Sequence, residues 1–322
     1  MSNLRKVLIG IRDSKLSIAQ TNFFLKEANK INEIKNSFSF EIKTIKTKGD
    51  IHNNHRLDQL GGKGLFVKEI EEQILSGDID IGIHSLKDLP AVETTPSLEI
   101  GCWLKRYDAH DALISNSGQG IGELEPNSVI GTSSIRRRSQ ILNFRKDLKI
   151  KLLRGNVDTR LQKLKDNEYD AIILSLAGLQ RINAEHLVTE VLSFDYFLPA
   201  SCQGAVSLQV KKNNNLDLIF SKLNHSETQI ACTAEREILK TINANCNSPV
   251  SVYARINKKE INIECTLYNH EGDMIFKTKK TNYKKDFIKS SHEIGKEIIR
   301  AVGQNTINEL DELKNDFDYS PI

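Results

Sequence analysis

Residues 128–175, SVIGTSSIRRRSQILNFRKDLKIKLLRGNVDTRLQKLKDNEYDAIILS, alternate short apolar runs with helical ones. Ser128–Gly131, Lys149–Leu153 and Ala171–Ser175 read as strands, and Ile135–Phe144 and Val157–Lys165 as helices. This alternation predicts a mostly parallel sheet with helices on its faces. Its two strand-to-helix junctions share one design. In the first, Gly131-Thr132-Ser133-Ser134 leads into Arg136, Arg137 and Arg138. In the second, Leu153-Arg154-Gly155-Asn156 leads into a helix carrying Arg160. Unsatisfied N–H groups and the positive dipole end make each junction a candidate anion site. In an open α/β sheet both would lie at the carboxyl edge, where ligands bind. A capped helix with exposed arginines is the bland alternative, and a second junction of the same design weighs against it. Neither junction has Walker lysine spacing or GxGxxG, which disfavours a nucleotide.

Charge is concentrated in the same place. Gly131–Lys165 holds eleven Lys/Arg against Asp147 and Asp158, a local +9 in a chain whose formal total is +3. The chain has 31 Lys and 14 Arg, yet six of the arginines fall at 136, 137, 138, 145, 154 and 160. A lysine-rich sequence that turns locally to arginine suggests planar forks gripping carboxylates or phosphates. A solvated basic face competes on even terms. Nucleic-acid binding is disfavoured because Phe144 is the one aromatic residue in the patch.

Reading outward, a similar unit precedes this one. Lys6–Arg12 is strand-like, Ser14 stands at the N-cap of a helix running toward Asn29, and Phe38–Lys48 alternates with period 2. Ile51–Gly64 reads as a loop, Leu65–Leu75 as a helix, and Asp78–His84 and Leu98–Leu104 as strands. Ala205–Val210 is a further strand, expected to return to this first unit. Gly118–Glu125 and Lys211–Asn215 read as surface loops. After about Ser226 come a helix (Thr228–Thr241), three strands (Val250–Ile256, Glu260–Leu267, Asp273–Thr278) and one long final helix. That pattern is α+β.

Length and composition agree with several domains: 322 residues exceed one ordinary core, and 39% hydrophobic residues suffice for real ones. No run of about 18 apolar residues suggests a membrane span, and the N-terminal residues lack the apolar core of a secretion signal. Five cysteines without CxxC spacing point to a reduced cytoplasm and no metal site.

The densest polar cluster is His84-Ser85-Leu86-Lys87-Asp88-Leu89-Pro90. A carboxylate at the end of a buried strand suits proton transfer or stabilisation of a cation. A Lys87–Asp88 salt-bridged turn is the plain alternative, and His84 taken alone suits a strand-end core residue.

These residues also carry a resemblance. His84–Pro90 is similar to the HSxKDxP motif of the hydroxymethylbilane synthase (porphobilinogen deaminase) family. Gly61–Glu69 resembles its GGKGLFxKE, Gly131–Arg137 its GTSSxRR, Leu153–Arg160 its LRGNxxTR, Leu198–Ala205 its LPAxGQGA, and Arg12–Gln20 its RxSxLAxxQ. Six motifs in the family's order span roughly residues 5–250.

The resemblance implies two α/β domains like those of periplasmic binding proteins, with a central active-site cleft, and a small C-terminal α+β domain. Mapped here, these are 1–104 with 204–224, then 105–203, then 225–322. It implies a transferase of tetrapyrrole (porphyrin, haem) biosynthesis, cytoplasmic and monomeric. Such an enzyme condenses four porphobilinogen molecules, with loss of ammonia, into linear hydroxymethylbilane on a covalent dipyrromethane cofactor. The family's cofactor cysteine lies in a GCxxP context, which Asn245-Cys246-Asn247-Ser248-Pro249 matches except for Asn245 in place of glycine. Cys232 sits in a helical apolar pattern, Cys102 and Cys265 lie in strands, and Cys202 replaces the glycine of LPAxGQGA.

By resemblance Asp88 is catalytic. Lys87, Asp88, Ser133, Arg136, Arg137 and Arg154 hold the cofactor. Arg12, Ser14, Lys63, Phe66, Arg160, Arg181 and Gln203 bind substrate. Each pyrrole carries an acetate and a propionate, which suits the arginine enrichment. Asp158 stands where the family has a small or neutral residue. A solute-binding module sharing the two-lobed architecture would need neither Asp88 nor a cofactor cysteine. No nucleic-acid or membrane partner is expected.

Overall fold

The computed structural model describes residues 4–47, 67–92, 95–244 and 248–312. The chain divides into two compact units, Met1–Tyr107 with Gly204–Gln229, and Asp108–Gln203 with Ile230–Ile322.

The first unit is built on strands β1 (Arg5–Arg12), β2 (Phe38–Ile45), β3 (Ile81–Ser85), β4 (Leu98–Trp103) and the late β10 (Val206–Lys211), in the order β2-β1-β3-β10-β4. β1 is parallel to β2 and β3, whereas β10 is antiparallel to both its neighbours. Residues 205–210, read as a strand returning to this unit, thus lie mostly within β10. The helix α1 (Lys15–Asn29) starts at Ser14, whose Oγ accepts from the Ser17 N–H at 3.2 Å. Its Phe24 and Ala28 join Val7, Ile9, Ile11, Ile81 and Ile83 in one core. Leu8, on the alternate face of β1, packs instead with Ile45, Ile79 and the Ile70 and Ile74 side chains of helix 68–76. Burial on both faces explains why β1 reads as nearly continuous apolar sequence. Each fully buried Ile or Val contributes about 1.5–3 kcal/mol. Gly10 lets this layer close up, because a Cβ there would stand 2.2 Å from Ile79 Cδ1 and push that side-chain end aside.

The second unit repeats the layout. Strands β5 (Asp111–Ser115), β6 (Val129–Gly131), β7 (Lys149–Lys151), β8 (Ala171–Ser175) and β9 (Glu190–Val191) run in the order β7-β6-β8-β5-β9. β6 is parallel to β7 and β8, and β5 is antiparallel to β8 and β9. Each sheet therefore has its single antiparallel strand in fourth position. Helices Ile135–Phe144, Val157–Lys165 and Leu176–Arg181 follow β6, β7 and β8. β5 and β9 are additions to the sequence reading. The stretch read as a surface loop at Gly118–Glu125 buries Ile121 (1% exposed) and Leu124 (3% exposed) in the core with Phe197.

The C-terminal segment has its own antiparallel sheet, β11 (Val250–Asn257), β12 (Glu260–Tyr268) and β13 (Met274–Tyr283). It also has its own core, including Ile238, Val252, Ile263, Ile294 and Ile298. The expectation of one long final helix is corrected. Gly303, at φ +82°, separates Phe287–Val302 from Gln304–Glu312, since a left-handed residue ends the first ladder.

This segment is docked on the helix Ile135–Phe144. Arg138 Nη1 donates to the His270 carbonyl at 2.5 Å, and Ser139 Oγ to the Asn269 carbonyl at 3.2 Å. Gly272 (φ +91°) lies so close that a Cβ would come within 2.6 Å of Leu142 Cβ. One helix therefore presents Arg136 and Arg137 to its own sheet and Arg138, Ser139 and Leu142 to the C-terminal domain.

Candidate active site

In the first unit the site residues are brought to one sheet edge by two parallel strands. Arg12 ends β1, and Ser14 caps the helix that follows. β3 ends at Ser85, and Leu86–Asp88 forms a single 3-10 turn that leaves Lys87 and Asp88 half-buried. Two bonds fix this turn: the Leu86 N–H donates to the Ala205 carbonyl at 3.0 Å, and Gln20 Nε2 donates to Ser85 Oγ at 2.7 Å. Beneath it His84 is 5% exposed. Burial pushes its pKa down to about 4, Gln209 acting against the shift and the Arg12 charge with it. His84 is therefore neutral at physiological pH, an interior residue of the strand that carries the turn. Lys63 and Phe66 lie outside the described residues.

In the second unit, Ser134 caps the helix Ile135–Phe144, its Oγ accepting from the Arg137 N–H at 3.3 Å, and Ser133 is half-buried beside it. Arg136 and Arg137, the first helical arginines, fold back to the start of β5. Arg136 Nη2 donates to Asp111 Oδ2 at 2.8 Å and its Nη1 to the Leu198 carbonyl at 2.7 Å. Arg137 donates to Asp111 Oδ1 from Nη2 at 2.6 Å and from Nε at 3.1 Å, and to the Ile173 carbonyl at 2.8 Å. Gln203 Nε2 donates to Asp111 Oδ1 at 2.9 Å and to the Ala109 carbonyl at 2.8 Å.

Asp111 is fully buried, and the two arginine side chains are 5% and 7% exposed. Burial alone would raise the Asp111 pKa. The charges of Arg136 and Arg137, with hydrogen bonds from Arg137 and Gln203, outweigh it and hold the carboxyl well below the ordinary range. A single buried carboxylate faces two guanidinium groups, so the cluster keeps a net positive charge.

The second junction is held differently. Gly155 takes φ +112°, and a Cβ there would meet Thr159 at 2.7 Å. Arg160 Nε donates back to the Gly155 carbonyl at 2.7 Å. Asn156 makes no side-chain cap, so the first-turn amides of Val157–Lys165 depend on other acceptors. Arg154 is half-buried at this turn, and Arg181 ends the helix Leu176–Arg181, also half-buried.

The arginine patch is thus largely not a solvated face. Besides Arg136 and Arg137, Arg138 holds the His270 carbonyl. Arg145 makes two bonds to the Asp147 carboxylate and reaches the Gly122 carbonyl at 2.9 Å and that of Leu124 at 3.0 Å. Fork geometry is used here, but much of it on protein acceptors. Sequence reasoning missed Asp111. Its only local signal is a carboxylate opening an apolar run, Asp111-Ala112-Leu113-Ile114, downstream of which two adjacent arginines need a counterion.

Cys246 lies outside the described residues. The other four cysteines are free thiols, each at most 1% exposed. Burial pushes Cys102 and Cys265 up to about 12 and Cys202 well above its ordinary value, so all three stay protonated at neutral pH. Cys202, Cys232 and Glu235 have ligand-type atoms within 4.8 Å of one another. However, both Glu235 oxygens accept from backbone N–H groups, those of Cys202 and Ala254. Among the described residues, no helix is long and apolar enough to cross a membrane.

Two mixed α/β sheets, each with its antiparallel strand in fourth position, arginine-bearing strand-to-helix junctions and a carboxylate at a strand end are those of an α/β protein suited to a polyanionic small molecule. The chain belongs to the porphobilinogen deaminase family. Residues 7–217 match the family's dipyrromethane cofactor binding domain, and residues 229–302 match its C-terminal domain. The porphobilinogen deaminase of Geobacillus kaustophilus is 40% identical over 276 residues, 85% of this chain and 88% of that protein. That of a second Geobacillus strain is 44% identical over 277 residues, with the same coverage. Among solved structures, a putative methionine-binding lipoprotein of Bacillus subtilis is 11% identical, with a TM-score of 0.42 over 70% of this chain and 92% of that one.

Family membership brings the dipyrromethane cofactor, and the donor set can be tested against it. Two linked pyrroles carry four carboxylates, each wanting N–H donors. Bonds among described residues engage two N–H groups of Arg136 and three of Arg137, out of five on each side chain. With the half-buried Arg154 and the amides after Asn156, the donors suit carboxylates.

Proposed function

We propose that the chain is a hydroxymethylbilane synthase in which Asp88 is the catalytic carboxylate and Cys246 the attachment point of the cofactor. The observation that carries this reading is the match of residues 7–217 and 229–302 to the two domains of the family. When bound, the dipyrromethane supplies the pyrrole carbon on which the product grows. In each condensation the incoming porphobilinogen would lose ammonia as its C–N bond breaks, the new C–C bond taking the place of that bond and a pyrrole C–H proton being given up. The Asp88 carboxylate stabilises the positive charge that develops as ammonia leaves and holds the pyrrole N–H groups, an effect strengthened where water is thin. Arg136, Arg137 and Arg154, with Ser133 and Lys87, hold cofactor carboxylates. Arg12, Ser14, Lys63, Phe66, Arg160, Arg181 and Gln203 bind the incoming porphobilinogen.

The suppressed reactivity of the buried thiols supports Cys246 as the nucleophile, because the thiolate is the attacking species. Four buried free thiols also fit a reducing cytoplasm, where we place the protein as a monomer. Purified protein given porphobilinogen should release four ammonia molecules per linear tetrapyrrole formed. Binding of porphobilinogen without ammonia release would leave only a solute-binding module.

A further inference from the structure

We propose that Asp111, at the first position of β5, is a positioning residue for the reaction, fixing, with the Gln203 amide as a further donor to it, the two guanidinium forks of Arg136 and Arg137 in the orientation that receives the cofactor's carboxylates. The inference rests on the assignment of the two arginines as cofactor-binding groups. Asp111 itself touches no ligand in it.

The geometry supports an orienting role over a merely neutralising one. A counterion need only be near, but Asp111 accepts four hydrogen bonds from three side chains of two separate segments, at 2.6–3.1 Å. Each arginine is held at a second point by a main-chain carbonyl, Leu198 for Arg136 and Ile173 for Arg137. Two fixed acceptors define the plane of a guanidinium group, and a planar fork with a fixed plane has fixed directions for its remaining N–H groups.

The Leu198 carbonyl is itself shared. Gln140 Nε2 reaches it at 3.0 Å and Ser251 Oγ, from β11, at 3.1 Å. The same cluster therefore ties the arginines to the C-terminal domain, which carries Cys246. Gln203 completes it at the point where the chain leaves this unit, since Gly204 already belongs to the other.

Charge and orientation predict opposite outcomes when the carboxylate is removed. Asp111→Asn raises the cluster's net charge by one. If Asp111 only tempered the field, ligand carboxylates would bind more tightly. If it orients the forks, binding and turnover both fall despite the added charge. Asp111→Glu is the second arm, because it keeps the charge but displaces the carboxylate by about one methylene. Misplacement of about 1 Å can cost on the order of 10²-fold in rate.

Both variants would be prepared with wild type, checked for folding by circular dichroism, and assayed well below their melting temperatures. Two readouts are taken: the fraction of chains gaining the cofactor mass when supplied with porphobilinogen, and kcat and KM separately. Positioning predicts a cofactor-bearing fraction reduced severalfold in both folded variants. The loaded fraction of Asp111→Glu should show kcat lowered at least tenfold with KM changed less. Normal loading with kcat within threefold of wild type in either folded variant overturns the proposal, as does tighter binding in Asp111→Asn. If neither variant folds, Asp111 is a folding residue and the proposal is wrong. Wild type that neither loads nor turns over would instead sink the proposed function, so the two failures are distinguishable.

Discussion

The backbone N–H of Cys202 donates to the carboxylate of Glu235, whose other oxygen accepts from the Ala254 N–H at 2.8 Å. Cys202 sits at φ +62°, the left-handed region, which explains why the family pattern has glycine there. Glu235 is fully buried, so Glu235→Ala would orphan two buried donors at about 1–3 kcal/mol each. A loss of roughly 2–6 kcal/mol in urea unfolding is expected. Cys202→Gly should stay within about 1 kcal/mol of wild type, because relieved strain of about 1–2 kcal/mol offsets the looser unfolded chain. A Glu235→Ala loss under 1 kcal/mol would show that the clamp is dispensable.

A second expectation concerns acid stability. His84 has its pKa lowered in the folded state to about 4, so between that value and about 6.5 the unfolded chain binds a proton the folded chain refuses. Stability contributed by neutral His84 is therefore complete above about pH 6.5 and falls with pH until about 4, by on the order of 3 kcal/mol. Unfolding free energies of wild type and His84→Gln at pH 7.5 and 4.5 check it. The variant should lose clearly less on acidification. Equal losses would mean His84 is solvated or already charged.

For Asp88 the test separates catalysis from architecture. Asp88→Asn keeps the shape of the Leu86–Asp88 turn and removes the charge. Removing one preorganised electrostatic group costs about 10²–10³ in turnover. Melting temperature should be nearly unchanged, because Asp88 is only half-buried. Turnover has to be measured with preformed cofactor supplied, so that failed assembly is not mistaken for failed chemistry. Turnover within a few-fold of wild type would reduce Asp88 to a turn residue.

Where local physics decides, the sequence is a good guide. Ser14 caps its helix because a hydroxyl precedes an apolar periodic run, and Ile135–Phe144, Val157–Lys165 and Ala171–Ser175 have the boundaries their periodicity predicts. Long-range pairing was legible only for residues 205–210, which return to the first sheet as β10. β5 is five residues long and ordered by β8 and β9, and β9 has only two residues. Asp111 resembles Asp108, three residues earlier, in type and neighbourhood. The approach of Arg136 and Arg137 over 25 and 26 positions, and of Gln203 over 92, distinguishes it. Gly303 was hidden for a related reason, since one glycine inside an amphipathic pattern does not declare its sign of φ. The candidate site divides in the same way: motif residues at strand ends were legible, and the buried counterion that organises two of them was not.

The central claim is that this chain builds its product on a dipyrromethane held by Cys246, and the intact mass of the purified protein tests it most directly. The account predicts an increment of two linked pyrrole units on the wild-type chain, absent from Cys246→Ser and still present in a Cys202→Gly variant. Wild-type protein that forms tetrapyrrole with no added mass, or an adduct mapped to one of the four buried cysteines, would contradict it.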